Sequence, residues 1–457
     1  MAVQLKTNQS LTLKIKRLGI NGEGIAYYKR LIVFVKGALP KETVIAKITK
    51  ATPRYAEAAL IRVKEASPDR IIPPCPVYEE CGGCQLQHLA YKQQLIFKKD
   101  LLKQALEKYK PEDFQKYELR NTLGMEDPWR YRNKAQFQLR KNDKINQVEA
   151  GLYQSDSHHL VPITDCLVQQ PATQKVMNTA VQLLTKYSIP IYDERRNSGI
   201  LRTLMVRVGI ETGEVQLVLI SKTKKIPQVN ALIRELNQRC PEVVSIMQNI
   251  QDKKTSLIMG DETIHLWGKE AINEKINQVS FELSARAFFQ LNPAQTKVLY
   301  HEALKALDLK QDKTIVDAYC GVGTIGLSLA DQAKEVRGMD IVPQAIEDAQ
   351  KNAAKMGLTN THYEVGSAEV LLPKWLREGF KPDAIIVDPP RTGLDEKLLD
   401  AIVKQPSQQL IYVSCNVSTL ARDLKALAKI YTVDYLQSVD MFPQTARCEV
   451  VVKLTKK

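Results

Sequence analysis

The sequence predicts a three-part chain: a C-terminal doubly wound α/β domain, a mixed α+β central region, and a small N-terminal OB-like β-barrel. Three observations carry this. From about residue 276 short strands alternate with helices, and AIIV (384–387) and IYV (411–413) are apolar throughout, as strands buried on both faces must be. A glycine-rich turn, GVGTIG at 321–326, follows the first of these strands. Residues 9–65 alternate with period two and are broken by turn signals at NGEG and GALPKE.

Each part is justified in chain order. The segments LTLKIKRL, GIAYY, LIVFVKG, TVIAKITK and YAEAALIRVKEA predict five short strands, enough for a barrel over residues 1–66 of a kind often used on nucleic acid. SPDRIIPPCP (67–76) breaks the pattern and reads as a linker into a central region spanning 67–275. Within it, 91–110 places Leu95, Lys98/Lys99, Leu102 and Leu106 at helical spacing, so the segment near 91–124 is expected to pack a helix on the C-terminal domain. WRYRNKAQFQLR (129–140) reads as a strand with Arg130, Arg132, Lys134 and Gln136 on one face and Trp129, Tyr131, Ala135 and Phe137 on the other. A basic face beside aromatics suits RNA, which makes Arg130 and Arg132 candidate contacts. Further strands are expected at 148–153, 202–209 and 214–220, with a helix near 171–187. Residues 276–457 then carry TIVDAYCG, EVRGMDIV, DAIIVDPP, QQLIYVSCN and EVVVKL as strands.

The chain has 457 residues and a net charge of +14, and the charge is uneven. Residues 1–66 hold 13 Lys/Arg against 4 Asp/Glu, whereas 276–457 hold 22 of each. An accessory region with all the excess positive charge points to a polyanion partner. No apolar run is long enough to cross a bilayer, and the N-terminus lacks the apolar core of a secretion signal, so a cytoplasmic address is expected.

The turn after the first C-terminal strand runs from Asp317 through Gly321 and Gly323 to Gly326, and Asp340 ends the next strand. Glycines let the backbone approach a ligand, and the carboxylate suits ribose hydroxyls. A nicotinamide dinucleotide is the rival ligand. Asp317 stands where a dinucleotide fold starts with Gly, and DPP follows a later strand, so S-adenosylmethionine is favoured.

Asp388-Pro389-Pro390-Arg391 is similar to the DPPY-type motif of amino methyltransferases, but Arg391 replaces the aromatic that stacks on the base. A different chemistry follows from the next strand, which ends in Ser414-Cys415-Asn416. Uracil C5 is a poor nucleophile until a thiolate adds to C6, and a base must later remove the C5 proton. Cys415 can be that thiol, and Glu449, opening the last strand, that base. Phe288 and Gln290 in FFQLN can stack and hydrogen-bond a flipped base. A DNA cytosine methyltransferase would place its cysteine after Pro, which this sequence does not.

These residues resemble the RNA (uracil-C5-)-methyltransferase family: FxQxN at Phe288–Asn292, DxxCGxGxxG at Asp317–Gly326, DPPR, SCN and the closing Glu449. The resemblance covers nearly the whole chain, and residues 1–65 resemble the RNA-binding barrel called TRAM. It implies that Cys415 attacks C6, that Glu449 takes the proton, and that Gln290, Tyr319, Asp340 and Asp388 line the pocket for S-adenosylmethionine and the base. The sequence departs at Arg447, where family members often have His. Cys75-x5-Cys81-x2-Cys84 with distant Cys166 matches the spacing by which the 23S rRNA branch holds a [4Fe–4S] cluster; by chemistry alone zinc is the alternative. The tRNA branch typically lacks both barrel and cluster, so 23S rRNA is the expected substrate, at one or two uridines, with the enzyme a monomer. A tRNA (uracil-C5-)-methyltransferase and a non-catalytic rRNA-binding assembly factor are the rival readings.

Overall fold

The computed structural model describes residues 5–155, 157–276, 279–307 and 311–457. Its N-terminal sheet has six strands, in the order Ser10–Lys14, Thr43–Ala51, Tyr55–Glu65, Leu31–Lys36, Gly24–Tyr28, Arg17–Leu18. The first and last are neighbours in sequence. One expected strand, LTLKIKRL, therefore bends at Ile15–Lys16 and pairs on both sides, which closes the sheet. The alternation read in the sequence fills the interior with Leu13, Ile15, Val33, Val35 and Ile48.

Leu18 and Leu39 of this barrel share a core with Leu86, Leu102 and Tyr412. Helix Tyr91–Tyr109 buries Phe97, Leu101, Leu102, Ala105 and Leu106 and packs on helix Val417–Leu427. The next segment, Glu118–Leu119, pairs with Tyr435–Leu436 as the eighth strand of the C-terminal sheet. Residues 91–119, counted with the central region from sequence, thus complete the C-terminal α/β unit.

The central sheet has seven strands, with Lys134–Asn142 and Leu201–Val208 paired in the middle. Helices Pro171–Lys186 and Val229–Arg239 cover one face around Phe137, Met177 and Leu217. The hairpin Ala271–Ile276 and Val279–Ser284 leads into helix Pro293–Ala306, which carries Pro at its start and an Asn292 side-chain cap on Gln295 N–H (3.2 Å).

The C-terminal sheet runs Thr361–Val365, Glu335–Asp340, Thr314–Ala318, Ala384–Val387, Gln409–Ser414, Glu449–Lys456, Tyr431–Val439 and then the added strand. Its first five strands are parallel and Glu449–Lys456 is antiparallel to both neighbours. The order reverses between Thr314–Ala318 and Ala384–Val387, the switch point at which such folds bind ligands. Among the described residues no helix is long and apolar enough to cross a membrane.

Candidate active site

The strand register converges the candidate side chains. Ala318 pairs with Val387 and Val387 with Tyr412, so Tyr319, Asp388 and the Ser414–Cys415 turn emerge at one edge. Ser414 pairs antiparallel with Val450. Cys415 and Glu449, remote in sequence, come next to that pair at the ends of the two strands, and the charge of Glu449 acts on the thiol.

The turn that follows Asp317 is built for a ligand. Asp317 is 1% exposed and its Oδ2 accepts from Gly326 N–H at 2.8 Å. Burial pushes its carboxyl up to about 7, with Asp388 and Asp340 adding to the rise. Tyr319 holds a left-handed φ of +66°, a strained conformation for a bulky side chain. Gly321 (φ +55°) faces open space where a side chain would stand, and a Cβ on Gly323 (φ +81°) would meet the Tyr363 hydroxyl at 2.9 Å. Asp340 accepts Gly321 N–H at 3.0 Å and Val342 N–H at 2.9 Å, which fixes its carboxylate beside this open cradle. Exposed Ile341 and Val365 end the two adjacent strands and offer an apolar flank to a flat ring. Neither is legible in the sequence, because a strand-terminal aliphatic carries no chemical signal until its exposure is known.

Cys415 is half-buried, and burial pushes its thiol up to about 11; Glu449 and Asp388 push the same way, while Arg391 opposes them. Glu449 is 5% exposed and is pushed up to about 8 by burial and by Asp388, with Lys98 and Arg391 pulling it down. Asp388 keeps part of its surface open, and its enclosed carboxyl is raised to about 7 by burial. Arg447 is exposed, and the fields of both Arg391 and Cys415 act on it. Two guanidiniums therefore flank the thiol where the family pattern has one histidine and one arginine. Tyr300, also unnoticed in sequence, is buried among Asp388, Asp317 and Glu449 with its hydroxyl 2.8 Å from that of Thr324.

The turn bearing Arg391 is strapped to the turn bearing Cys415. Asn416 Nδ2 donates to the Arg391 carbonyl at 2.8 Å, and the Asn416 Oδ1 caps helix Val417–Leu427 through Ser418 N–H. Asp423 Oδ2 accepts from Leu394 N–H (2.9 Å) and from the Tyr412 hydroxyl (2.8 Å). DPPR and SCN thus form one hydrogen-bonded unit.

In FFQLN the two phenylalanines part. Phe289 is buried with its ring centroid 5.8 Å from that of Phe281, whereas Phe288 is 67% exposed. Gln290 is buried, and its carbonyl accepts from Asn133 Nδ2 at 3.2 Å, which ties this loop to the central domain.

The central strand begins at Lys134, not at Trp129, so Arg130 and Arg132 lie in the segment before it. Arg130 makes a bidentate pair with Asp165 (2.5 and 2.8 Å) and donates to the Cys166 carbonyl at 3.0 Å. A fork committed to a carboxylate holds a loop; it is not a free phosphate contact. Arg132 lines a cavity of about 390 Å³ together with Cys75, Cys81, Cys84 and Cys166. Burial pushes Cys84 up to about 12, and the other three thiols act on it in the same direction. Among the described residues no group of three or more His, Cys, Asp or Glu is arranged to hold a metal ion. The four thiols share one cavity without closing into a cage.

A doubly wound sheet with this cradle at its switch point, and with a thiol, a carboxyl and two guanidiniums on the adjoining strand ends, defines an S-adenosylmethionine-dependent RNA methyltransferase. The family model described as tRNA (Uracil-5-)-methyltransferase matches residues 90–457, that for the TRAM domain matches 4–61, and the chain belongs to this RNA uracil-C5 methyltransferase family. An RNA methyltransferase of Enterococcus faecalis is 71% identical over 99% of both chains, and one of Listeria innocua is 55% identical over 99% of both. Among solved structures, the Pyrococcus abyssi tRNA (uracil-54, C5)-methyltransferase bound to S-adenosyl-L-homocysteine is 27% identical, with a TM-score of 0.78 over 97% of this chain and 99% of that one. At that coverage the likeness includes the barrel, so the barrel does not separate rRNA from tRNA enzymes as the sequence reading expected.

Proposed function

We propose that the chain methylates C5 of uracil in 23S ribosomal RNA by covalent catalysis, with Cys415 as nucleophile and Glu449 as base, acting as a cytoplasmic monomer. The observation that carries the chemistry is the register that brings Cys415 and Glu449 next to the Ser414–Val450 pair at one rim. Cys415 Sγ adds to C6, and the C5–C6 electron pair moves toward O4. S-adenosylmethionine, when bound, supplies the methyl group to C5. The Glu449 carboxylate then takes the C5 proton, the C5–C6 double bond re-forms and Sγ departs. Arg391 and Arg447 favour the thiolate by their charge. Asp340 and the turn through Tyr319, Gly321 and Gly323 would hold the donor, with Asp317 bracing that turn and Asp388 and Gln290 lining the donor and base pocket; Phe288 would stack the flipped base.

The spacing of Cys75, Cys81, Cys84 and Cys166, by its resemblance to the 23S branch, supports a [4Fe–4S] cluster as a structural or RNA-positioning element, although the four line one cavity without closing into a cage. It also supports the ribosomal substrate by resemblance to the 23S branch. The second reading, a tRNA substrate, is favoured by the whole-length likeness to the Pyrococcus abyssi tRNA enzyme.

Wild-type enzyme and Cys415→Ala assayed on unmodified 23S rRNA and tRNA transcripts test both. Methylation of 23S rRNA, lost in Cys415→Ala, and a covalent adduct with 5-fluorouridine RNA are expected. Activity in the variant overturns the mechanism, and methylation of tRNA alone overturns the substrate. Anaerobically purified protein should be brown and contain iron; colourless protein with one zinc overturns the cluster.

A further inference from the structure

The central sheet carries two basic side chains that meet no anion among the described residues. Arg207 and Lys134 are direct antiparallel partners, so their side chains leave the same face of the sheet. Arg207 is 2% exposed, and its guanidinium donates to the carbonyls of Ser284 (3.1 Å) and Ala287 (2.7 Å). Lys134 is half-buried and has no hydrogen-bond or ion-pair partner among the described residues. Arg132 stands two residues before it. The charged groups that act on Lys134 are Arg207 from the adjacent strand and Arg132 from the segment just before its own; no carboxylate is among them.

Buried charges are retained when something pairs with them, and among the described residues these two meet carbonyls at most and no anion. Burial, then Arg207 and Arg132, lower the Lys134 ammonium to about 7. An anion brought beside it would restore the charged form. The place is telling. Arg207 grips the carbonyl of Ala287, and the next residue is the exposed Phe288. Asn133, between Arg132 and Lys134, holds the Gln290 carbonyl. The cationic row therefore borders the loop that offers an aromatic face to a base.

We propose that Arg132 and Lys134, backed by Arg207, bind one backbone phosphate of the RNA, next to the nucleotide stacked on Phe288. This rests on the RNA substrate proposed above. An oxyanion is the shared chemistry, and the carboxylate of the methyl donor is the other source that fits it. Phosphate is the assigned source because the row lies on the central domain and borders the base-stacking loop.

The test is equilibrium binding of 23S rRNA and tRNA transcripts by the full-length protein across a salt series, beside calorimetry with S-adenosylmethionine. Lys134→Gln should weaken RNA binding about tenfold and reduce the slope of log affinity against log salt by about 1, with donor affinity unchanged. Wild-type affinity should fall between about pH 6 and about pH 9 as Lys134 loses its proton, and Lys134→Arg should bind RNA without that fall, because a guanidinium stays charged. Equal affinity and slope in Lys134→Gln overturn the inference alone. A loss of donor affinity with RNA binding intact overturns the phosphate assignment. Wild-type protein that binds neither transcript overturns the functional reading and this inference with it.

Discussion

Lys98 and Asp440, 342 positions apart in the chain, form an ion pair in which neither side chain meets solvent. Lys98 Nζ also donates to the Phe442 carbonyl at 3.0 Å, and Asp440 Oδ2 accepts from the Tyr91 hydroxyl at 2.9 Å. The pair bolts helix Tyr91–Tyr109 to the loop that leads into the Glu449 strand. Removing one partner strands a buried charge, at a cost of about 3–5 kcal/mol. Lys98→Met should therefore lower the urea midpoint sharply, and Lys98→Met with Asp440→Leu should recover most of it. A single variant within about 1 kcal/mol of wild type would show that the pair does not hold the helix.

The same lysine acts on the base. Glu449 is raised to about 8 by burial and Asp388, and Lys98 and Arg391 lower it. A carboxyl must be ionised to take a proton and a thiol to attack C6, so turnover should rise with pH through about 8 and go on rising toward the higher range in which Cys415 ionises. Taking away the Lys98 charge removes a lowering influence and should move that limb to higher pH. Glu449→Gln should reduce turnover about 10²–10⁴-fold at every pH and still trap 5-fluorouridine RNA, since that adduct needs no proton removal. An unshifted limb in Lys98→Met would separate the lysine from catalysis.

Legibility in the sequence followed the range of each interaction. The glycine turn, DPPR and SCN were readable because each packs its chemistry into a few consecutive residues at a strand end. The role of Lys98 was not: its spacing put it on the packing stripe, but the partner that holds it there, Asp440, lies in a distant loop. The Arg130 ion pair was illegible for the same reason: its partner Asp165 lies 35 residues away. Glu118–Leu119 has two residues, too few to show a period, and only the open edge at Tyr435–Leu436 makes it a strand. Phe288 and Phe289 are chemically identical neighbours, and tertiary packing alone decides which one is exposed.

The donor cradle gives a binding prediction. Asp340 already accepts two backbone N–H groups, one of them from Gly321, which borders open space. Hydrogen bonds to a charged acceptor contribute about 1.5–3 kcal/mol. Asp340→Ala should raise the S-adenosylmethionine dissociation constant about tenfold to a hundredfold in calorimetry, with RNA affinity unchanged. Donor affinity within about twofold of wild type would place the ribose elsewhere.

The Arg130–Asp165 fork separates holding from binding. If Arg130 fixes the loop of Cys166, then Arg130→Met should lower iron content, and Asp165→Asn should do the same although it changes the local charge in the opposite sense. Arg130→Lys should fail to rescue, because an ammonium cannot reproduce two parallel hydrogen bonds to one carboxylate. The salt slope of RNA binding should stay at its wild-type value in Arg130→Met, in contrast to the loss expected for a phosphate contact. A slope reduced by about 1 with iron intact would return Arg130 to the RNA interface, against the geometry of a guanidinium whose donors already meet the Asp165 carboxylate and the Cys166 carbonyl.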